Sequence, residues 1–291
     1  MDYVQAHLAD DLGLEKLASV AAFSPFHFHR VFAAITGETV SDFIRRIRIE
    51  RAASHLVLLR ETPVIEIALR CGFSSAAVFA RAFRAHFGMS ATQWRDGGAA
   101  RWGAARRKND SNLRKASSNR REASHQKARH GSAMEIEIRR LPPCRVAYVR
   151  HVGPYGDDGR IGELWKDFER WIRANGLRQP GTLTIGIGHD APRIAAADKL
   201  RYDACLVVDA GFKPDRFVNM ADLPGGKYAV TRFEGPPSAI GRTWERMFTD
   251  WLPGSGYKPD ERPCIELRPG FETLESPGRV RCEFCLPIEP L

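Results

Sequence analysis

The chain has 291 residues, 43% of them hydrophobic and 27% charged, with a formal net charge of +9. This is the make-up of a folded protein of about two domains, not of a disordered or fibrous one. No apolar run reaches the roughly 20 residues of a membrane span, and the N-terminus MDYVQAHLADD lacks the basic stretch and apolar core of a secretory leader, so the expected location is the cytoplasm.

The first third is built on a repeat. LEKLASVAAFSPFHFHRVFAAITG matches VIEIALRCGFSSAAVFARAFRAHFG, with Leu17 and Ala18 aligned on Ile67 and Ala68, and Ser24, Phe28, Arg30, Phe32 and Gly37 on Ser75, Phe79, Arg81, Phe83 and Gly88. Each copy predicts a short helix, a tight turn and a second helix that packs back on the first, which is a helix-turn-helix. Ser24 is placed to cap the second helix of the first copy, and Pro25 in the first turn costs nothing because its missing N–H has no helical partner there. Phe28, Val31, Phe32 and Ile35 recur at helical spacing and predict the inward stripe. Phe26, His27, His29 and Arg30 point elsewhere, either to a partner or to solvent. His27 and His29 diverge by about 200° on a helix and cannot share a metal.

Between the copies, VSDFIRRIRIERAASHLVLL predicts one long helix. From Val40 to Leu58 it spans about 28 Å at 1.5 Å per residue, close to the roughly 34 Å of one turn of B-DNA. Such a connector holds two second helices against successive major grooves. Arg45, Arg46, Arg48 and Arg51 are available for phosphates, or are simply solvated helix charges.

Residues 97–133 carry 10 Lys and Arg against 2 Asp and Glu, a net +8 that contrasts with +1 for residues 1–96 and zero for 134–291. Rich in Ala, Ser, Asn and Arg, this segment is expected to be a basic flexible linker that either follows an anionic polymer or merely stays soluble.

The last segment repeats as well. RVAYVRHVGPY parallels KYAVTRFEGPP, IGELWKDFERWIRANG parallels IGRTWERMFTDWLPGSG, and two further strand-like stretches follow in each half. The predicted unit is strand, helix, strand, strand, and two copies packed about a pseudo-twofold axis leave a cleft for a ligand. Gly186 and Glu266 occupy equivalent places in the two copies. A carboxylate in an aromatic cleft pairs with an Arg, is held protonated, or binds a cation. Trp165, Trp244, Tyr148, Tyr155, Tyr228 and Phe284 are the candidate walls. The Cys282 and Cys285 pair in CEFC reads as two packed thiols on opposite faces of a strand, with no second pair to complete a zinc site. No metal or cofactor is expected anywhere in the chain.

Residues 1–96 resemble the DNA-binding domain of the AraC/XylS transcription regulators almost end to end, down to the closing GMSATQWR. That resemblance implies base contacts by Phe26, His29 and Arg30 in the first motif and by Ala77 and Arg81 in the second, with His27 beside them. Residues 134–291 resemble the GyrI-like effector-binding domain, through VRHVGPY, IGIGHDAP, RYDACLVV, PGGKYAV and EFCLPI. This resemblance places the family's ligand-pairing glutamate at Glu266. Two residues on, Arg268 stands where the family often has an aromatic.

The expectation is therefore a multidomain chain: an all-α domain with two helix-turn-helix motifs joined by a long helix (1–96), a linker (97–133), and an α+β domain of two strand-helix-strand-strand repeats (134–291). It is expected to be a bacterial regulator, not an enzyme, binding double-stranded DNA and a small hydrophobic effector, cationic or aromatic. RNA polymerase is a further expected partner. Tandem motifs in one chain suggest a monomer. The alternative is a small-molecule hydrolase with Glu266 as base beside Tyr228 or Tyr155.

Overall fold

The computed structural model describes residues 1–105, 134–155, 159–179, 181–269 and 279–291. The chain separates into two compact units, Met1–Arg121 and Glu122–Leu291. Most of the expected linker, residues 106–133, lies outside the described residues. No helix among those described is long and apolar enough to cross a membrane.

The first unit is helical: α1 (Asp2–Ala6), α2 (Leu14–Val20), α3 (Pro25–Thr36), α4 (Val40–Leu58), α5 (Val64–Arg70), α6 (Ala76–Phe87) and the short α7 (Ala91–Gln93). The repeat seen in the sequence is carried by matching caps. The hydroxyl of Ser24 accepts from His27 N at the start of α3, and that of Ser75 accepts from Val78 N at the start of α6. Each helix runs 12 residues and stops at a left-handed glycine, Gly37 or Gly88. Capping serines of this kind are worth about 1 kcal/mol each, so both second helices are delimited locally before any packing occurs.

Packing then fixes the faces. Helix α4 buries Phe43, Ile44, Ile47, Ala52, Ala53 and Leu56 and forms the spine of the unit. Phe32 of α3 packs edge-on against Phe43, while Phe79, Phe83 and Phe87 of α6 form an aromatic ladder ending on Trp94. The Trp94 indole N–H donates to Ala53 O of α4 at 2.9 Å, which locks the second motif to the spine. Helix continues through residues 99–105. Trp102 lies 5.2 Å from the Phe87 ring, so this early part of the expected linker belongs to the aromatic core.

One sequence expectation fails here. Ile35 is 66% exposed, and the inward stripe of α3 runs through Phe28, Phe32 and Thr36 instead. Thr36 is tolerated inside because its hydroxyl bonds Phe32 O at 2.8 Å and Glu38 O at 3.1 Å, leaving no buried polar atom unsatisfied.

The second unit is a curved antiparallel sheet with its helices on one face. Its strands are β1 (Glu137–Leu141), β2 (Cys144–Val152), β3 (Leu183–Gly188), β4 (Arg201–Val208), β5 (Asn219–Leu223), β6 (Gly226–Gly235), β7 (Tyr257–Pro259), β8 (Ile265–Pro269) and β9 (Val280–Pro290). The main helices are α8 (Arg160–Ala174) and α9 (Ile240–Arg246). Sheet order is β1-β6-β9-β8-β3-β4-β2-β5, with β7 added to β9. The order reads as two four-strand halves meeting at β3 and β8. Each edge strand leads in sequence into the half opposite the one it pairs with: β1 leads into β2 but pairs with β6, and β5 leads into β6 but pairs with β2.

Strand alternation gives the sheet two distinct faces. One carries Val146, Tyr148, Ile185, Cys205, Tyr228, Val230, Leu267 and Cys285 in a single cluster. Leu141 and Leu223, from opposite edges, join that cluster, so the sheet curls around it. The other face carries Ala147, Val149, Tyr202, Ala204 and Leu206 beneath Trp165, Phe168 and Ile172 of α8.

Candidate functional site

Two surfaces carry chemistry, one in each unit. In the helical unit, the side of α3 turned away from α4 presents Phe26, His27, His29 and Arg30, all exposed. Phe26 is 73% exposed, and its ring lies 5.7 Å from the Arg30 guanidinium, so the two side chains are held together as one apolar and cationic patch. His27 packs edge-on against Phe23 and is a neighbour of this patch. On α6 the equivalent positions are Ala77 and Arg81, both exposed, without an aromatic platform. Among the described residues neither Arg30 nor Arg81 has a carboxylate partner.

The basic side chains of α4 divide differently from the sequence expectation. Arg45 is 61% exposed and pairs with Asp42 at the surface. Arg46 is not available. Its guanidinium bonds Glu38 at 2.6 Å and Glu50 at 3.0 Å with only 11% of the side chain exposed, and it lies over the Phe43 ring. Arg48 likewise turns inward, donating to Leu8 O at 2.9 Å and Asp10 O at 2.7 Å. Both arginines fasten the fold.

In the second unit the site forms on the helix-covered face, where the two halves of the sheet meet. Register aligns Ala204, Gly186, Glu266 and Phe284 across β4, β3, β8 and β9. Trp165 of α8 and Trp244 of α9 are set over this row; the Trp244 ring is 4.8 Å from Phe284. Glu266 Oε2 accepts from Arg268 Nη2 at 2.8 Å and from the Tyr202 hydroxyl at 3.0 Å. Tyr202 in turn accepts from the Trp165 indole N–H at 3.3 Å, and the Arg268 guanidinium lies 4.6 Å from the Trp165 ring. Gly186 is required for this arrangement, because a methyl group there would stand 2.1 Å from the Tyr202 hydroxyl oxygen. The space the glycine leaves is thus taken by tyrosine.

Electrostatically the cluster is a buried, neutral pair. Burial alone lowers the Arg268 pKa, but the Tyr202 and Glu266 oxygens outweigh it and hold the guanidinium above its ordinary value. Burial, reinforced by Glu266 and opposed by Arg268, raises the Tyr202 phenol well above 10 and keeps it a donor. Among the described residues, Arg268 Nε is buried with no hydrogen-bond partner.

The candidate walls separate by face. Trp165, Trp244 and Phe284 lie on the same face as Glu266. Tyr155 borders the cluster, its ring 6.0 Å from Tyr202, with its hydroxyl donating to Arg201 O. Tyr148 and Tyr228 do not belong to it: they are packed with Ile185 and Leu267 on the opposite face of the sheet. Tyr228 is capped there by Arg262, 4.5 Å from its ring centre. Tyr202 was missed in the sequence. Its signal was strand alternation, since it lies two residues before Ala204, which faces Gly186. Cys282 and Cys285, the CEFC pair, are buried free thiols pushed up to about 12, chiefly by burial. Among the described residues, no group of three or more His, Cys, Asp or Glu side chains is placed to hold a metal ion.

Residues 17–97 match the model of a helix-turn-helix domain, and residues 134–289 match that of the GyrI-like small molecule binding domain. The chain belongs to the GyrI-like family, joined to an AraC-type helix-turn-helix region. It is 34% identical over 156 residues to the SPbeta prophage-derived protein YosT of Bacillus subtilis, covering 54% of this chain and all of that one. Over 93 residues it is 32% identical to the transcriptional regulator Rob of Salmonella typhimurium, where the match covers 32% of each chain. Among solved structures, the DNA-binding domain of AdpA in complex with a target DNA is 30% identical, covering 34% of this chain and 89% of that one at a TM-score of 0.33. The AraC-type region and the GyrI-like domain together make the chain a DNA-binding transcription regulator with a small-molecule binding domain, and its relatives are regulators of transcription, not enzymes. Of the groups the hydrolase alternative needs, Glu266 is held by Arg268, Tyr228 is on the other side of the sheet, and Tyr155, which borders the cluster, donates its hydroxyl to Arg201 O.

Proposed function

We propose that α3 and α6 each enter a major groove, about one helical turn of DNA apart, with α4 as the spacer between them. The observation that carries this reading is the pair of equally capped 12-residue helices, each anchored on α4 by aromatic side chains and each presenting an exposed arginine at the same place in the repeat. Arg30 and Arg81 are suited to paired bonds with guanine O6 and N7, and each such pair is worth about 1 to 3 kcal/mol of discrimination. Phe26 is suited to a thymine methyl beside the guanine read by Arg30. Ala77 offers only a methyl group, so the second motif discriminates less. Arg45 meets a phosphate.

The GyrI-like domain binds an aromatic effector at the cluster of Trp165, Tyr202, Trp244, Glu266, Arg268 and Phe284. An effector whose affinity differs between the free and DNA-bound protein by about 1 to 3 kcal/mol changes operator affinity about 5- to 150-fold. Selection of bound duplexes from a random pool with the full chain tests the DNA half. The expected product is two guanine-containing blocks about 10 base pairs apart, the first enriched in thymine next to its guanine. Unenriched sequence would refute it.

A further inference from the structure

Glu266 is the carboxylate that a cationic ligand would need, and its Oε2 is already engaged by a cation of the chain itself. Arg268 reaches it at 2.8 Å from two positions along the same strand, both side chains are less than a tenth exposed, and Tyr202 bonds both of them. The guanidinium lies along the Trp165 ring, the surface on which a bound cation would otherwise rest. A cation brought to this place meets attraction from Glu266 and repulsion from Arg268 at similar range, and an anion meets the reverse. The two terms nearly cancel, leaving the loss of the ion's hydration uncompensated. An uncharged ligand avoids that loss. Among the described residues, the buried polar atom of the pair left without a partner is a donor, Arg268 Nε, and an orphaned buried donor gains most from an acceptor.

We propose that Arg268 is the internal counter-ion of this site and its specificity-determining residue. It excludes cations and selects an uncharged aromatic ligand whose carbonyl or ether oxygen accepts from Arg268 Nε–H. The proposal rests on the reading that the effector binds at this cluster. It assigns Trp244 the stacking surface, and Glu266 the role of holding Arg268 in place against Trp165.

Three naphthalene probes with one ring system and different heads test it: 2-acetylnaphthalene, 2-naphthoate and 2-naphthyltrimethylammonium. Binding to the full chain is followed by NMR through the indole N–H resonances of Trp165 and Trp244. The ketone is expected to bind at least tenfold tighter than either ion. In Arg268→Met the order reverses toward the ammonium, which gains at least tenfold over wild type, and the double variant Glu266→Gln/Arg268→Met loses that gain. Wild type preferring the ammonium, or an order unchanged in Arg268→Met, overturns the proposal while the site reading stands. Indole resonances of Trp165 and Trp244 that no probe moves in any variant overturn the site reading and the proposal with it. If Arg268→Met does not fold, the double variant decides, because it removes the buried charge together with its partner. With unsubstituted naphthalene added as a reference, the ketone's advantage over it in wild type must then disappear in the double variant, and its persistence contradicts the contact with Nε.

Discussion

Removing one member of the Glu266–Arg268 pair should be far more damaging than removing both. Arg268 is 4% exposed and Glu266 8% at the side chain, so Glu266→Gln strands a guanidinium whose other oxygen partner among the described residues is the Tyr202 hydroxyl. Breaking a buried pair in this way costs about 3 to 5 kcal/mol, whereas exchanging both members for uncharged groups of similar volume is often close to neutral. Each single variant, Glu266→Gln or Arg268→Met, is therefore expected to lose about 3 kcal/mol or more. The double variant should lose about 1 kcal/mol, a coupling of about 5 kcal/mol or more. Urea unfolding of the full chain, followed by tryptophan fluorescence, measures it. With a slope of about 1 to 3 kcal/mol per molar, the single variants move the midpoint of the GyrI-like domain by roughly 1 to 3 M. Single losses that simply add in the double variant would show that the two charges do not stabilise each other, and the description of the site as a neutral pair would fail.

Four further outcomes follow from other parts of the molecule. Arg45→Ala should lower the salt slope of DNA binding by about one unit with little change in stability. Arg46→Met should destabilise the helical unit and leave that slope as it was, which a salt titration beside a thermal melt distinguishes. Gly72→Ala should cost about 2 kcal/mol or more, since φ is +84° and the new methyl would stand 2.4 Å from Leu8 O; a loss under 0.5 kcal/mol in urea unfolding would contradict the tight turn. Asp203 is held at about 2 although burial pushes its carboxyl up, because His189 and Arg150 outweigh that burial. Its folded pKa lies below the unfolded value near 3.8, so its stabilisation of about 2 kcal/mol is present above pH 4 and is lost as pH falls toward 2. Asp203→Asn should flatten acid unfolding of the GyrI-like domain across that window.

The caps and repeats were legible in the sequence because they are local. Ser24, Ser75, Gly37 and Gly88 delimit α3 and α6 through bonds between residues three or four apart, and a duplicated pattern makes each copy evidence for the other. Pairings across long separations were not legible. Arg46 looks like any solvated helix arginine until the turn before α4 brings Glu38, eight residues earlier, onto its guanidinium. Ile35 fits helical spacing as well as Thr36 does, and only the position of α4 decides which of them is covered. In the sheet, aromatic content gave a list of rings without their faces. Tyr148 and Tyr228 fall on the far side because register with β4 and β9 sets their parity, and one residue of register reverses it. Gly186 and Glu266 were legible as a matched pair through the repeat, and they do face one another across β3 and β8.

Methylation interference on a selected duplex tests the central claim most directly. Guanines methylated at N7 before binding should block the wild-type chain at two positions about 10 base pairs apart on one face of the duplex. Arg30→Ala should erase interference at one of them and Arg81→Ala at the other, each leaving its partner intact. Interference that is confined to a single block, or that both variants lose together, would contradict an independent groove reader on each of α3 and α6.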